Sequence, residues 1–218
     1  MSMLNMDFSN VVAIQSLDRD WVASPAAGVW RKPLAREDAE RGHATSIVKY
    51  EAGAAFSTHG HPKGEEILVL QGVFSDESGD YPAGTYFRNP EGFSHAPYSK
   101  EGCVILVKLH QFQSQDKAHI CIDTRSALGQ QPGVCKHLLL HQFGAEKAEM
   151  FRCVADSELD LSSAVDGLEI YLISGCLTDK SSIYYAGQWI RKPSAGEGPY
   201  KASAGSLVWV KSNHLSRS

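Results

Sequence analysis

Three histidines and one glutamate are spaced so that they could bind a single metal ion. They are His59, His61, Glu65 and His95, in the segments GAAFSTHGHPKGEEILVLQG (53–72) and GTYFRNPEGFSH (84–95). Residues i and i+2 of a β-strand point to the same side, so His59 and His61 can reach one ion. Neutral imidazoles and a carboxylate suit zinc, iron, nickel or manganese. We therefore predict one divalent transition metal per chain, with zinc as the first expectation. The pattern identifies neither an organic cofactor nor a catalytic residue.

The elements that carry these side chains are short β-type runs separated by Gly, Pro, Asp and Ser. The clearest runs are Thr45–Tyr50, Glu66–Leu70, Thr85–Arg88, Val104–Leu109, Glu169–Ile173 and Leu207–Lys211. Many short strands at this spacing predict an all-β sandwich or barrel. Helical periodicity is almost absent, and we expect at most one short helical turn over Ala35–Arg41.

An internal repeat divides the chain into two copies of one β-domain. Three blocks recur at a constant offset of 103 residues: GEEILVLQG (from 64) with GLEIYLISG (from 167), AGTYFRNP (from 83) with AGQWIRKP (from 186), and GCVILVK (from 102) with GSLVWVK (from 205). Chance similarity would not keep one register through three separate blocks. We predict a lead-in over 1–20, a metal-binding domain over 21–115 and a second domain over 120–215.

The second copy keeps the framework but not the four candidate ligands. At the offset of 103, the ligand positions are occupied by Ser162, Ala164, Leu168 and Gly198. None of these side chains binds a transition metal well. We therefore expect the second domain to be degenerate and metal-free. Positions shared by both copies, such as Arg88 with Arg191 and Glu66 with Glu169, are interpreted as structural, which favours Glu65 over Glu66 as the ligand.

Composition and charge exclude several classes of function. The net charge of −4 and a pI near 6.1 give no basic surface for nucleic acid. No apolar stretch is long enough for a membrane helix, and the first residues do not resemble a secretory signal. The five cysteines form no CxxC pair, so we expect them to be reduced, in a cytoplasmic protein.

The two ligand-bearing segments resemble the two sequence motifs of the cupin superfamily. The residues that fit these motifs are Gly53, His59, His61, Glu65 and Gly72 in the first, and Gly84, Pro90, Gly92 and His95 in the second. Ser99 stands where the second motif usually has Asn, which is not a ligand. The resemblance implies a jelly-roll barrel with the metal inside. With the repeat, it implies an all-β fold of two tandem cupin barrels.

The first copy is also similar to the cupin domain of ChrR-type zinc anti-sigma factors, through TSIVKYEAG and HGHPKGEEILVLQGVFSDESGDYPAGTYFRNPEGFSHAPYSKEGC. This implies a regulatory or sensory module, although the HxxxCxxC motif that accompanies sigma-factor binding in those proteins is absent from this sequence. The expected partners are a sigma factor or a small molecule in the first barrel. The alternative is a non-haem Fe(II) dioxygenase that cleaves a small β-diketone, as in acetylacetone-cleaving cupins. Both a monomer and a homodimer remain open.

Overall fold

The computed structural model describes residues 3–38 and 41–215, which form two compact units. The first unit contains residues 3–6, 19–38 and 41–125, and the second contains residues 7–18 and 126–215. Both units are built almost entirely of β-strands, which confirms the predicted all-β fold. Within the described residues, no helix is long and apolar enough to cross a membrane.

The first unit holds the strands that carry the candidate ligands. Its strands are β2 (Val22–Ala23), β3 (Val29–Arg36), β4 (Ala44–Tyr50), β5 (His59–Gly60), β6 (Glu65–Asp76), β7 (Gly79–Pro82), β8 (Thr85–Asn89), β9 (Ser94–His95), β10 (Cys103–Leu109) and β11 (Ile120–Asp123). The main sheet has the order β11-β8-β6-β10-β4-β3-β2, with β7 paired to β6, and β5 pairs with β9 separately. Neighbouring strands in this unit pair in the antiparallel direction.

One face of this sheet is mostly apolar and forms the interior of the barrel. Alternate residues of the neighbouring strands β4, β6 and β10 contribute to one buried cluster, because side chains of a strand alternate between its two faces. Val48, Ile67, Val69, Ile105 and Val107 are examples, each at most 7% exposed. Burial of these side chains supplies about 1.5–3 kcal/mol each relative to exposure, so this interior is the main stabilising feature of the unit.

The second unit repeats the arrangement around an apolar cluster of its own. Its elements are β1 (Val12–Gln15), a 3-10 turn (Ser16–Asp18), α1 (Thr124–Gly129, which begins in the first unit), β12 (Cys135–Phe143), β13 (Glu146–Cys153), β14 (Ser157–Leu159), β15 (Leu168–Ser174), β16 (Cys176–Thr178), β17 (Ile183–Tyr185), β18 (Gln188–Lys192), β19 (Tyr200–Ala202) and β20 (Ser206–Ser212). They form two sheets, β1-β18-β15-β20-β13-β12 and β14-β19-β16-β17. Strand β1 pairs with β18 and forms an edge of the first of these sheets.

Two sequence-based expectations are wrong. Ala35 and Arg36 belong to strand β3 rather than to a helical turn; of the rest of the predicted turn, residues 39 and 40 lie outside the described residues. Cys135 and Cys153 form a disulfide, because they lie directly opposite each other on the paired strands β12 and β13. The remaining cysteines, Cys103, Cys121 and Cys176, are free thiols.

Candidate metal centre

The three histidines converge because two short strands pair at one end of the first barrel. His59 in β5 lies directly opposite His95 in β9, and His61 follows His59 by two residues. One potential ligand atom of each histidine lies within 4.8 Å of those of the other two. The structure thus brings together all three histidines that the sequence singled out.

Glu65 reaches the same point from the main sheet. The turn before it needs left-handed backbone at Lys63 and Gly64 (φ 62° and 78°). A Cβ on Gly64 would lie 2.4 Å from the Phe112 ring, so glycine is required there both for conformation and for space. This turn places Glu65 at the first position of β6, where the residue is 6% exposed.

The distances between the side chains of His61, His95 and Glu65 suit ligation of a single ion. Nε2 of His61 lies 3.0 Å from Nε2 of His95. Glu65 Oε2 lies 3.4 Å from each of these two nitrogen atoms. Two atoms bound to one ion at about 2.1 Å can be at most about 4.2 Å apart. The three separations fall within that limit, so these three side chains are close enough together to bind a single transition metal.

Hydrogen bonds on the far side of two imidazoles orient them toward the cluster. Nδ1 of His59 donates to the backbone carbonyl of Ser57 at 2.8 Å. Nδ1 of His95 lies 3.1 Å from Oδ2 of Asp76. A proton on Nδ1 leaves the lone pair of Nε2 free for a metal, and such supporting bonds typically fix the ring of a ligating histidine.

Burial and neighbouring charges shift the pKa values of His61, Glu65 and His95. Burial lowers the pKa of His61, and His95 and His59 lower it further, which together outweigh the opposing effect of Glu65. Burial by itself would raise the pKa of Glu65, but His61, His95 and Asn89 hold it below its usual value. Burial alone would lower the pKa of His95, yet Glu65 and Asp76 together raise it. Glu65 as a carboxylate and His61 as a neutral imidazole are the forms that bind a metal.

Glu66 lies on the opposite face of β6 from Glu65. It accepts a hydrogen bond from the Tyr86 hydroxyl at 2.8 Å, and its Oε2 is 3.6 Å from the Arg88 guanidinium. Arg88 is fully buried and also pairs with Asp116. Strand alternation therefore separates the two neighbouring glutamates, one toward the histidines and one toward a buried ion cluster.

The cluster opens onto a cavity of about 370 Å³ inside the first barrel. His59, His61 and Glu65 line one part of it, and Tyr50 and Phe56 line another. Most of the remaining lining comes from β3, β4 and β10. The size lies within the range of about 300–1,000 Å³ that is usual for small-molecule sites.

In the second unit, the residues at the positions equivalent to the candidate ligands lie either in the apolar core or at the surface. Ala164 and Leu168 are buried members of the apolar cluster, whereas Ser162 and Gly198 are exposed. Among residues 3–38 and 41–215, one group of three or more side chains is arranged so that it could hold a metal ion, and it is the histidine cluster of the first unit. That the second barrel binds no metal stays a prediction.

Sequence reasoning did not identify several polar residues around the cluster. In the sequence, the one signal at Asp76 is that Asp179 matches it at the repeat offset of 103 residues, which suggested a structural role. Asn89, which donates to Glu65 Oε2 at 3.2 Å, carried no spacing signal at all. Arg31 and Arg36 line the cavity, and only the pairing of strands reveals this.

Comparisons with known proteins agree with this architecture. Residues 9–113 match the family described as the ChrR cupin-like domain. No curated protein sequence is significantly similar to the chain. A structure from Nostoc punctiforme, whose assignment as a dioxygenase is provisional, shares 13% identity at a TM-score of 0.72, over 96% of this chain and 85% of that one.

Two further structures show the same fold at low sequence identity. The pirin YhhW of Escherichia coli, solved with nickel(II), has 13% identity and a TM-score of 0.70, over 93% of this chain and 98% of its own. A point mutant of the oxalate decarboxylase of Bacillus subtilis has 13% identity and a TM-score of 0.59, over 96% of this chain and 78% of its own. Residues 9–113 are therefore similar to the ChrR cupin-like domain, and the chain as a whole shares the fold of these structures.

Proposed function

We propose that the first barrel binds one divalent transition metal through His59, His61, Glu65 and His95. The observation that carries this proposal is the approach of Glu65 Oε2 to within 3.4 Å of Nε2 of both His61 and His95. Zinc is the expected ion, because three imidazoles and a carboxylate can complete a four-coordinate site. A bound ion would act as a Lewis acid toward an oxygen ligand in the cavity.

Metal analysis of protein purified without a metal-affinity column tests this proposal. Mass spectrometry of the metal content should give about one equivalent per chain for the wild type and close to none for His61→Ala. His137→Ala is a matched control, because His137 contacts Glu149 on the surface of the second unit and should leave the metal content unchanged. Two equivalents in the wild type, or full occupancy in His61→Ala, would contradict the proposed site.

The proposed role of this metal centre is regulatory or sensory, as in ChrR-type anti-sigma factors. The family match over residues 9–113 supports this role. The partner would be a small molecule in the barrel or a sigma factor. Such a module should bind its partner without turnover. Failure of the purified, metal-loaded protein to bind any sigma factor of its own organism would count against the sigma-factor role.

A second candidate is an Fe(II)-dependent dioxygenase that cleaves a small β-diketone. The cavity beside the histidines favours it, because a catalytic centre needs room for a substrate next to the metal. In this case Glu65 would leave the metal or serve as a base. Oxygen consumption by the Fe(II)-loaded protein should then exceed that of His59→Ala when β-diketones are added. Equal rates in the two proteins would exclude this activity for the diketones tried.

Other parts of the assignment are also proposals. We propose a cytoplasmic protein, with cupin domains over residues 21–115 and 120–215 after a lead-in over residues 1–20. Neither a nucleic acid nor a membrane is a proposed partner. The chain would be a monomer or a homodimer, which light scattering coupled to gel filtration distinguishes directly.

A further inference from the structure

One polar side chain lies in an apolar part of the cavity wall in the first barrel. Ser46 in β4 lines this cavity and is 3% exposed. In the main sheet it lies opposite Val107 of β10 and opposite Pro33 of β3. Along β4, the residues two positions away on the same face are Ala44 and Val48. The side chains at the positions nearest to Ser46 on this face of the sheet are therefore apolar.

The Ser46 hydroxyl has no hydrogen-bond partner in the described parts of the protein. Its Oγ is buried, and residues 3–38 and 41–215 offer it neither a donor nor an acceptor. Buried polar atoms are paired in the great majority of cases, so an unpaired hydroxyl on a cavity wall indicates a missing ligand or water molecule. Ser46 is therefore placed to bond a molecule inside the cavity.

The equivalent position of the second barrel has a partner within the protein. Glu149 in β13 takes the place of Ser46 in β4. Its cross-strand partner Val210 is the counterpart of Val107, the partner of Ser46, at the repeat offset of 103 residues. The Glu149 carboxylate lies 2.8 Å from Nε2 of His137 on the neighbouring strand β12. The repeat thus satisfies this position internally in the second barrel and leaves it open to the cavity in the first.

A β-bulge at the same place in both barrels supports this correspondence. In β3 the extra residue is Leu34, directly after the residue opposite Ser46. In β12 the extra residue is Leu140, directly after the residue opposite Glu149. The strand beside each position therefore has the same irregularity, so the two barrels can be compared residue by residue at this point.

We propose that this cavity binds a small ketone-like molecule, with an apolar body and one carbonyl oxygen that accepts a hydrogen bond from the Ser46 hydroxyl. An apolar body matches the wall, because Ile105, Val107 and Leu109 of β10 also line the cavity. Next to Ser46 an uncharged oxygen loses its hydration at a lower cost than a carboxylate would. A carbonyl also brings no proton of its own, whereas an alcohol would need a further acceptor among these apolar side chains.

This inference rests on the proposed function for its purpose, because it names the class of ligand that a sensory cavity beside the metal centre would take. The probes are 2-pentanone, cyclohexanone and acetophenone, each compared with the alkene in which a CH2 group replaces the carbonyl oxygen. Since the two members of a pair have nearly the same shape, a difference in their affinities measures the hydrogen bond. In ligand-observed NMR titrations, the wild type should bind at least one ketone about fivefold more tightly than its alkene.

Variants of Ser46 test whether this preference depends on its hydroxyl. Ser46→Ala should abolish the preference and leave the affinity for the alkene close to that of the wild type. Ser46→Thr keeps a hydroxyl and should retain the preference, which separates loss of the hydrogen bond from a change in the fold. Ser212→Ala is the matched control, because the Oγ of Ser212 is also buried and unpaired among the described residues but belongs to the second unit. This control should bind ketones as the wild type does.

The outcomes distinguish this inference from the proposed metal site, because metal content is measured on every protein. A metal-loaded wild type without a preference for ketones overturns this inference alone, as does an unchanged preference in Ser46→Ala. Butanoate has the shape of 2-pentanone with a negative charge, and tighter binding of butanoate than of the ketone would also overturn it. A wild type that takes up no metal but prefers ketones overturns the proposed function and supports this inference.

Discussion

Asp76 and His95 form a buried pair in which the carboxylate supports the ring of a proposed metal ligand, with Oδ2 3.1 Å from Nδ1. Asp76 also accepts hydrogen bonds from the Tyr81 hydroxyl and from the backbone of Ser78. The equivalent carboxylate of the second unit, Asp179, pairs with the ammonium group of Lys192. The repeat therefore keeps the carboxylate and exchanges its partner, a histidine in one barrel and a lysine in the other.

The first prediction concerns this supporting role. Asp76→Asn should lower metal affinity by about 10- to 100-fold, as is typical for removal of a carboxylate behind a ligating histidine. Competition with a chelator of known affinity measures the change. Asp179→Asn is the matched control in the second unit and should leave the affinity unaltered. Equal affinities in wild type and Asp76→Asn would show that His95 does not need this contact.

The second prediction distinguishes the adjacent glutamates. Glu65→Gln should weaken metal binding, because it removes the charged oxygen nearest to His61 and His95. Glu66→Gln should leave metal binding intact but reduce stability by about 1–3 kcal/mol, since it disturbs the buried contacts with Tyr86 and Arg88. Metal content and urea denaturation are measured on both variants. The reverse pattern would assign the ligand role to Glu66.

The third prediction concerns the ion pair between Asp179 and Lys192, whose side chains are largely buried in the second unit. Burial alone would raise the pKa of Asp179, but Lys192, the Ser181 backbone and the Tyr184 hydroxyl hold it well below its usual value. Asp179→Asn should lower the free energy of unfolding by about 3 kcal/mol at pH 7, because it leaves the lysine unpaired. Urea denaturation at several pH values measures the loss.

The pH dependence of this loss has a definite sign. Because the pKa of Asp179 is lower in the folded than in the unfolded state, its stabilisation is complete above about pH 5 and declines as the pH falls. The difference between wild type and Asp179→Asn should therefore shrink on acidification. Glu158→Gln, at an exposed site of the same unit, is the charge-matched control. A difference that grew at low pH would contradict this account of the pair.

The fourth prediction follows from the disulfide between Cys135 and Cys153. Thiol titration of the unfolded, unreduced protein should find three free thiols, those of Cys103, Cys121 and Cys176. The double variant Cys135→Ser/Cys153→Ser should be less stable by about 3 kcal/mol, given the 18-residue separation of the two cysteines. Cys121→Ser is the control, as this exposed thiol has no disulfide. Five titratable thiols in the wild type would refute the pairing.

The main features of the fold and the clustering of the histidines could be predicted from sequence. All six β-type runs lie in strands, because each is rich in β-branched, aromatic or other apolar residues and is bounded by turn signals. The separation of Glu65 from Glu66 followed from strand alternation and is confirmed by the contacts of Glu66 with Tyr86 and Arg88. These features depend on local spacing, which a single sequence displays directly. The assignment of the four residues as metal ligands stays a prediction.

Features that depend on strand register could not be predicted. The disulfide requires Cys135 and Cys153 to be opposite each other on paired strands, and sequence separation alone does not reveal this. The expected helical turn over Ala35–Arg41 was wrong for Ala35 and Arg36, since pairing with β4 outweighs weak local helical preference. Asp76 reaches His95 across the fold, with no motif linking them.

The β-bulge between Pro33 and Ala35, which inserts Leu34 as an extra residue in β3, makes the lining of the cavity depend on chain length as well as on composition. Deleting Leu34 would leave every charged side chain in the sequence, yet it would turn Arg36 toward the other face of the sheet. A single-codon deletion would therefore remove a guanidinium group from the cavity wall without changing the net charge of the chain. Alignments that treat a gap at this position as neutral would overlook this change.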